Sequence, residues 1–69
     1  MEPKEIFDLI VKADEALKYA RDDKLAARTQ QARRHLEQAL AEARAIGNEA
    51  LVAQAQRRLD DLGELEREA

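Results

Sequence analysis

The fold is decided by residues 25–51, LAARTQQARRHLEQALAEARAIGNEAL. Apolar or small side chains recur there every three or four positions, a spacing that puts them on one face of an α-helix, as in a heptad repeat. They are Leu25, Thr29, Ala32, Leu36, Ala39, Ala43 and Ile46, with Leu40 beside the row. Gly47 can take the left-handed conformation that ends a helix, and Asn48 is a good N-cap for the next one. The stretch therefore predicts a helix over residues 24–46 and another that begins near Glu49.

Two further amphipathic helices are predicted on either side of this one. The third helix covers about residues 49–66, and its inward face consists of Leu51, Val52, Ala55, Leu59, Leu62 and Leu65. Gly63 weakens its last turns by about 1 kcal/mol relative to alanine, and residues 64–69 are expected to fray. The first helix covers about residues 3–21, with Pro3 in the first turn, where the missing N–H has no partner to lose. Its apolar face consists of Ile6, Leu9, Ile10, Ala13, Ala16, Leu17 and Ala20.

The apolar rows of the first two helices are out of phase. Five positions separate Ala20 from Leu25, whereas a continuous row would step by three or four. One unbroken helix would not bury both rows against the same partner. We therefore predict a tight turn at Asp22-Asp23, with Asp23 as the N-cap of the second helix. A single long helix over residues 3–46 is the alternative.

Composition places the chain in the all-α class. The 69 residues include two glycines, one proline and no cysteine, so that disulfides, thiolate metal sites and a catalytic thiol are excluded. A chain of this length and composition predicts one domain, residues 1–69, of three antiparallel amphipathic helices. These form either a closed three-helix bundle or an open stack. The only aromatic residues, Phe7 and Tyr19, are expected to belong to the core. The core is lean, and association with other chains would compensate for that.

The net charge of −3 is divided unevenly along the chain. Residues 1–23 sum to −3, residues 24–46 to +3 and residues 47–69 to −3. This pattern favours helices that neutralise one another. The rival interpretation is nucleic-acid binding by the basic middle helix, through Arg33 and Arg34 with their neighbours. An acidic domain disfavours that interpretation.

No segment of the sequence has the properties of a membrane span or a secretion signal. The longest apolar run is residues 9–11, whereas a spanning helix needs about 20 residues. The first five residues are acidic, whereas a signal peptide begins with basic residues. The expectation is a soluble, cytoplasmic protein.

Residues 32–62 resemble a tetratricopeptide (TPR) helical repeat. The pattern of a small residue, a large apolar residue four positions on, and then Ala-Leu is matched by Ala32, Leu36 and Ala39-Leu40. The turn from Ala43 to Leu51 is similar to turns common in bacterial members of that family. TPR modules bind peptides of partner proteins in a concave groove, so the resemblance implies a protein-interaction role.

Catalytic and metal-binding constellations are absent from the sequence. His35 is the only histidine, and neither residue four positions away, Gln31 or Ala39, is acidic. The chain contains no serine. The acidic pairs at residues 22–23 and 60–61 point different ways on a helix and form no local dyad. We therefore expect no catalytic, cofactor-binding or metal-binding residues and no enzyme activity.

The function predicted from the sequence is a non-enzymatic module for protein–protein interaction or self-association. The partner is a protein or peptide, or a second copy of the chain, and the expected contact surface comprises Phe7, Val11 and Leu40. These side chains lie at the margins of the apolar rows and are not needed to complete them. One alternative is a designed or reconstructed helical protein without biological function. Nucleic-acid binding through the second helix is a weaker alternative.

Overall fold

The computed structural model describes residues 1–68, without the side chains of residues 22 and 68. It consists of α1 (Pro3–Lys18), a short 3₁₀ helix (Asp22–Lys24), α2 (Leu25–Ala45) and α3 (Glu49–Glu68). About 88% of the described residues are helical, and none of them is in a β-strand. The prediction of an all-α fold of three helices is confirmed.

The first helix ends three residues earlier than predicted, at Lys18 rather than residue 21. The N–H groups of Tyr19 and Ala20 donate to the carbonyl oxygens of Glu15 and Leu17, at 3.2 Å each. The second of these bonds spans three residues instead of four, which tightens the last turn and ends the helix. Residues 19–24 are thereby left to reverse the direction of the chain before α2 begins.

The link between α1 and α2 also differs from the prediction. A break in the helix is present, so the alternative of one helix over residues 3–46 is wrong. The N-cap is Lys24 rather than Asp23, and no side chain caps α2. A side-chain cap needs an extended backbone at the N-cap, whereas Lys24 has φ −108° and ψ 0° because the preceding 3₁₀ turn runs directly into α2.

The turn between α2 and α3 confirms both residues singled out for it. Gly47 has φ 68°, and its N–H donates to the Arg44 carbonyl at 3.1 Å. The N–H of Asn48 donates to the Ala43 carbonyl at 2.9 Å, which completes a Schellman motif. The Asn48 Oδ1 then accepts from the N–H of Leu51 at 3.1 Å, so it caps α3.

The third helix is longer than predicted, because it continues to Glu68. Residues 64–68, where fraying was expected, are helical, and residue 69 lies outside the described residues. The Arg67 Nε donates to the Gly63 carbonyl at 3.4 Å, within the last turns.

The core contains as many alanines as large side chains. The buried hydrophobic residues are Ile6, Leu9, Ile10, Ala13, Ala16, Ala32, Leu36, Ala39, Ala43, Leu51, Ala55 and Leu62. All twelve had been assigned to the inward faces of the helices. The apolar rows nevertheless extend past the core, since Leu25, Ile46 and Leu65 are more than 40% exposed. Phe7 and Tyr19 are exposed too, so the expectation that the aromatic residues belong to the core is wrong.

The second helix lies between the other two and packs against both. The amino group of Met1 lies 3.6 Å from a carboxylate oxygen of Glu42, so α1 and α2 are antiparallel. The beginnings of α1 and α3 lie together at one end of the molecule, so α1 and α3 run parallel, and the contact between them is limited. The molecule measures 37 × 19 × 13 Å. This flattened shape follows from one central helix flanked by two others.

Candidate interaction surfaces

Phe7 and Val11 form an apolar ridge on α1. They are one helical turn apart and therefore share a face. Phe7 is 45% exposed and Val11 is half-buried. Asp14 continues this face, and its carboxylate oxygens accept from the Arg58 Nε at 3.1 and 3.2 Å. The Phe7–Val11 ridge is therefore adjacent to the seam between α1 and α3.

Leu40 lies elsewhere. It is half-buried and packs against the core. It shares a face of α2 with Arg33, seven residues before it, and the Arg33 guanidinium forms an ion pair with Glu66 of α3. Leu40 thus lies at the seam between α2 and α3. The structure brings Phe7 and Val11 together but does not add Leu40 to their surface.

A groove opens between the start of α2 and the end of α3, where α3 extends beyond the end of α1. Its walls are Leu25, Ala26, Thr29, Gln30, Leu65 and Glu66, and its volume is about 330 Å³. We call this the end groove. Leu25 is 41% exposed and Leu65 is 46% exposed, so both present apolar surface to solvent.

Unequal helix lengths create the end groove. Arg58 of α3 is level with Asp14 of α1, but α1 ends four residues later and α3 ten residues later. The six additional residues extend α3 by about 9 Å. Over that length no residue of α1 covers the apolar row of α3. The sequence alone places Leu25 and Leu65 on the inward faces because their spacing continues the apolar rows of α2 and α3.

A second, more polar groove lies between α1 and α2. Its lining residues are Lys12, Glu15, Ala16, Tyr19, Arg28, Gln31 and His35, around about 260 Å³. His35 is half-buried, and the Tyr19 ring centre is 5.6 Å from the Lys18 Nζ. Among the described residues, no group of three or more histidine, cysteine or acidic side chains could hold a metal ion. The mixed charges of the groove give no single class of ligand a preference.

The opposite end of the molecule carries a shallow depression of about 670 Å³. Residues 1–3 and 46–49 line it, so the beginnings of α1 and α3 meet the end of α2 there. Two polar groups on its rim are engaged within the chain. The N–H of Glu2 donates to the Glu5 carboxylate at 2.9 Å, and Asn48 caps α3.

Two arginines form contacts between helices. Arg33 pairs with Glu66 of α3 rather than with Glu37, which lies one turn along its own helix. Arg58 contacts Asp14 of α1. Sequence spacing points only to partners on the same helix, and these two partners lie 33 and 44 positions away. Both contacts join two helices.

Within residues 1–68, no helix is long and apolar enough to cross a membrane. Searches of protein-family models, curated proteins and solved structures each return no match for this chain.

Proposed function

We propose that the protein is a non-enzymatic module that acts through protein–protein contact, with another protein or with a second copy of itself. One observation carries the proposal. Among the described side chains, six large apolar ones are more than 40% exposed and six are buried. The exposed ones are Met1, Phe7, Tyr19, Leu25, Ile46 and Leu65. Leu25 and Leu65 line one groove, and Met1 and Ile46 line one depression. Exposed apolar side chains that lie together in this way are typical of protein contact sites.

The Phe7–Val11 ridge is the proposed contact surface. A phenylalanine at its centre provides a large apolar area at little cost in side-chain entropy. The adjacent Asp14–Arg58 pair supplies a polar rim, as in interfaces with an apolar centre. The TPR-like resemblance of residues 32–62 supports the same function, since these residues form most of α2, the Schellman turn and most of α3.

Charge gives nucleic-acid binding less support. Arg33 is paired with Glu66 and Arg58 with Asp14, so both arginines already face carboxylates. Binding to a phosphate backbone needs basic side chains that are not neutralised by neighbours. Protein contact therefore remains the proposed function.

The test is the double substitution Phe7→Ala and Val11→Ala. The two side chains lie outside the buried core, so we expect the monomer to remain folded with an almost unchanged thermal midpoint. Self-association, measured by sedimentation equilibrium from about 10 to about 500 μM, should weaken at least about tenfold. The matched control is Lys4→Ala with Asp8→Ala, an exposed polar pair with the same spacing on α1.

If the wild-type chain keeps the monomer mass of 7.8 kDa throughout that concentration range, the proposal requires that its partner is another protein. In that case the immobilised wild-type chain should retain a partner that the double alanine variant does not retain. Equal retention by the two chains, or equal self-association, would contradict the assignment of the Phe7–Val11 ridge.

A further inference from the structure

The face of α1 that carries the Phe7–Val11 ridge has a symmetric pattern. Lys4, Phe7, Val11 and Asp14 follow one another at intervals of three, four and three residues. This is the spacing of the a and d positions of a heptad, so the four side chains share one face. Phe7 is 45% exposed and the Asp14 side chain is 51% exposed. Lys4 is exposed and Val11 is half-buried. The face therefore presents to solvent, in order along α1, a cation, an aromatic ring, an aliphatic side chain and an anion.

The same intervals result when α1 is followed in the opposite direction. In an antiparallel pair of such helices centred on residue 9, position 4 of each helix lies opposite position 14 of the other, and position 7 lies opposite position 11. Phe7 of each copy then contacts Val11 of the other copy, and Lys4 of each copy lies beside Asp14 of the other. A two-fold interface uses the same patch on both copies, so the patch must be self-complementary. This face of α1 meets that requirement in its spacing and in its charges.

We propose that the partner of the Phe7–Val11 ridge is the same ridge on a second copy of the chain, with the two α1 helices antiparallel about a two-fold axis. The inference rests on the proposed function, because it assumes that this ridge is a contact surface. It adds the identity of the partner and the register of the contact. Antiparallel helices also place the positive end of each helix dipole beside the negative end of the other, whereas parallel helices do not.

Lys4 and Asp14 are suited to pairing between copies. Among the described residues, Lys4 forms no ion pair within the chain. It lies in the first turn of α1, where the helix dipole disfavours a basic group. The Asp14 carboxylate accepts from the Arg58 Nε at 3.1 and 3.2 Å, and an ionised carboxylate has about four acceptor sites. Since half of the Asp14 side chain is open to solvent, a second cation can approach it without displacing Arg58.

The expected affinity of this pairing is modest. The face from Lys4 to Asp14 is about 15 Å long, which is short for an interface that buries the usual 1,200–2,000 Å² or so, and the dimer should therefore exchange with monomer. Exposed charge pairs add little affinity and act mainly on register and association rate. The apolar contacts supply most of the affinity. The Lys4→Ala with Asp8→Ala control keeps these contacts, so its self-association should stay well above that of the double alanine variant of Phe7 and Val11.

Single cysteine substitutions test the register, because the chain contains no cysteine of its own. One variant carries Lys4→Cys and the other carries Asp14→Cys. In a mixed antiparallel dimer the two introduced thiols lie opposite each other, while the second charge pair and both apolar contacts remain intact. In a dimer of either variant with itself, the thiols are offset by about 15 Å along the helix. That offset is too large for a disulfide, which needs Cα atoms within about 7 Å of each other.

An equimolar mixture of the two variants is oxidised with oxidised glutathione, and the disulfide-linked products are quantified by mass spectrometry. Random collision would give as many mixed dimers as self-linked dimers of both kinds together. The inference predicts an excess of mixed dimers of at least about tenfold, because only their thiols are within bonding distance. The matched control replaces Asp14→Cys with Asp8→Cys, which is exposed on the same helix but lies off the paired face, and it should give the random ratio. Far-UV circular dichroism checks that each variant is folded.

Three results would overturn the inference: a random ratio of products in the first mixture, an excess of self-linked Lys4→Cys dimers, which indicates a parallel pair, and a wild-type chain that remains monomeric. The proposed function fails separately. If the chain is monomeric but retains another protein that the double alanine variant of Phe7 and Val11 does not retain, the ridge stands as a contact surface and only the second copy is excluded. If the wild type and that variant self-associate equally, the ridge assignment itself fails.

Discussion

The two glycines of the chain have opposite roles although both lie in or beside helices. Gly47 has φ 68°, a conformation that is unfavourable for residues with a side chain. Gly63 lies within α3 and has no such requirement. A Cβ atom at either position would meet no atom within 4 Å. The effect of an alanine substitution on stability is therefore set at each site by the backbone conformation and not by a steric clash.

We expect Gly47→Ala to destabilise the fold by about 1–2 kcal/mol, because alanine must adopt the left-handed conformation. Gly63→Ala is the matched control and should stabilise the fold by about 0.5–1 kcal/mol through helix propensity. In a domain of this size, 1 kcal/mol shifts the thermal midpoint by about 4–8 °C. Midpoints that move in the same direction for both variants would contradict the different roles assigned to the two glycines.

At the scale of the elements, an ion pair between Asp14 of α1 and Arg58 of α3 joins the first and third helices. The Arg58 Nε lies 3.1 and 3.2 Å from the two carboxylate oxygens of Asp14, and its side chain also donates to the Gln54 carbonyl. The side chains are 32% exposed for Arg58 and 51% for Asp14. Water therefore screens the attraction between Asp14 and Arg58. The main effect of the pair is to fix the position of α1 relative to α3.

A double-mutant cycle with Asp14→Asn and Arg58→Gln should give a coupling free energy of about 0.2–1 kcal/mol, the range for exposed pairs. High salt should reduce this coupling, because the pair is accessible to ions. The control cycle combines Arg58→Gln with Asp8→Asn instead of Asp14→Asn. Asp8 lies about 9 Å from Asp14 along α1. Distant sites should be additive. A coupling of equal size in the control cycle would show that Asp14 and Arg58 are not specific partners.

At the scale of the whole molecule, stability depends on few large side chains. Six of the twelve buried hydrophobic residues are alanines, so the core consists of close helix contacts with few large groups between them. Leu36 is completely buried in the central helix, which packs against both neighbours. Truncation of the Leu36 side chain would therefore weaken the packing of α2 against both α1 and α3.

We expect Leu36→Ala to destabilise the fold by about 2–5 kcal/mol. A single core of this size supplies about 3–5 kcal/mol of net stability, so the variant should lose most of its cooperative unfolding transition in urea. Leu40→Ala is the control on the same helix and should cost less, because Leu40 is only half-buried. Equal urea midpoints for the two variants would contradict the role of Leu36 in the core.

Most of the fold was predictable because its signals are local. The spacing of apolar residues predicted three helices, and the chemistry of Gly47 and Asn48 predicted the second turn to within one residue of the end of α2. The first turn was less predictable. It contains no glycine or proline, and a 3₁₀ turn makes Lys24 the N-cap in place of Asp23.

The candidate surfaces were only partly predictable. Phe7 and Val11 are neighbours on one helix, so their spacing was enough to join them. Leu40 could not be placed relative to them, because that depends on how α1 and α3 pack around α2. The end groove was missed for the same reason, since the exposure of Leu65 depends on where α1 ends relative to α3.

The sequence by itself determined the helices, the face that each one buries and the turn at Gly47, because a 3.6-residue period and a left-handed glycine act within a few residues. Only the tertiary structure decided which apolar residues remain uncovered and which arginine meets which carboxylate. Those outcomes depend on the relative lengths and offsets of packed helices. Contacts between residues 33 and 44 positions apart leave no periodic trace in the chain.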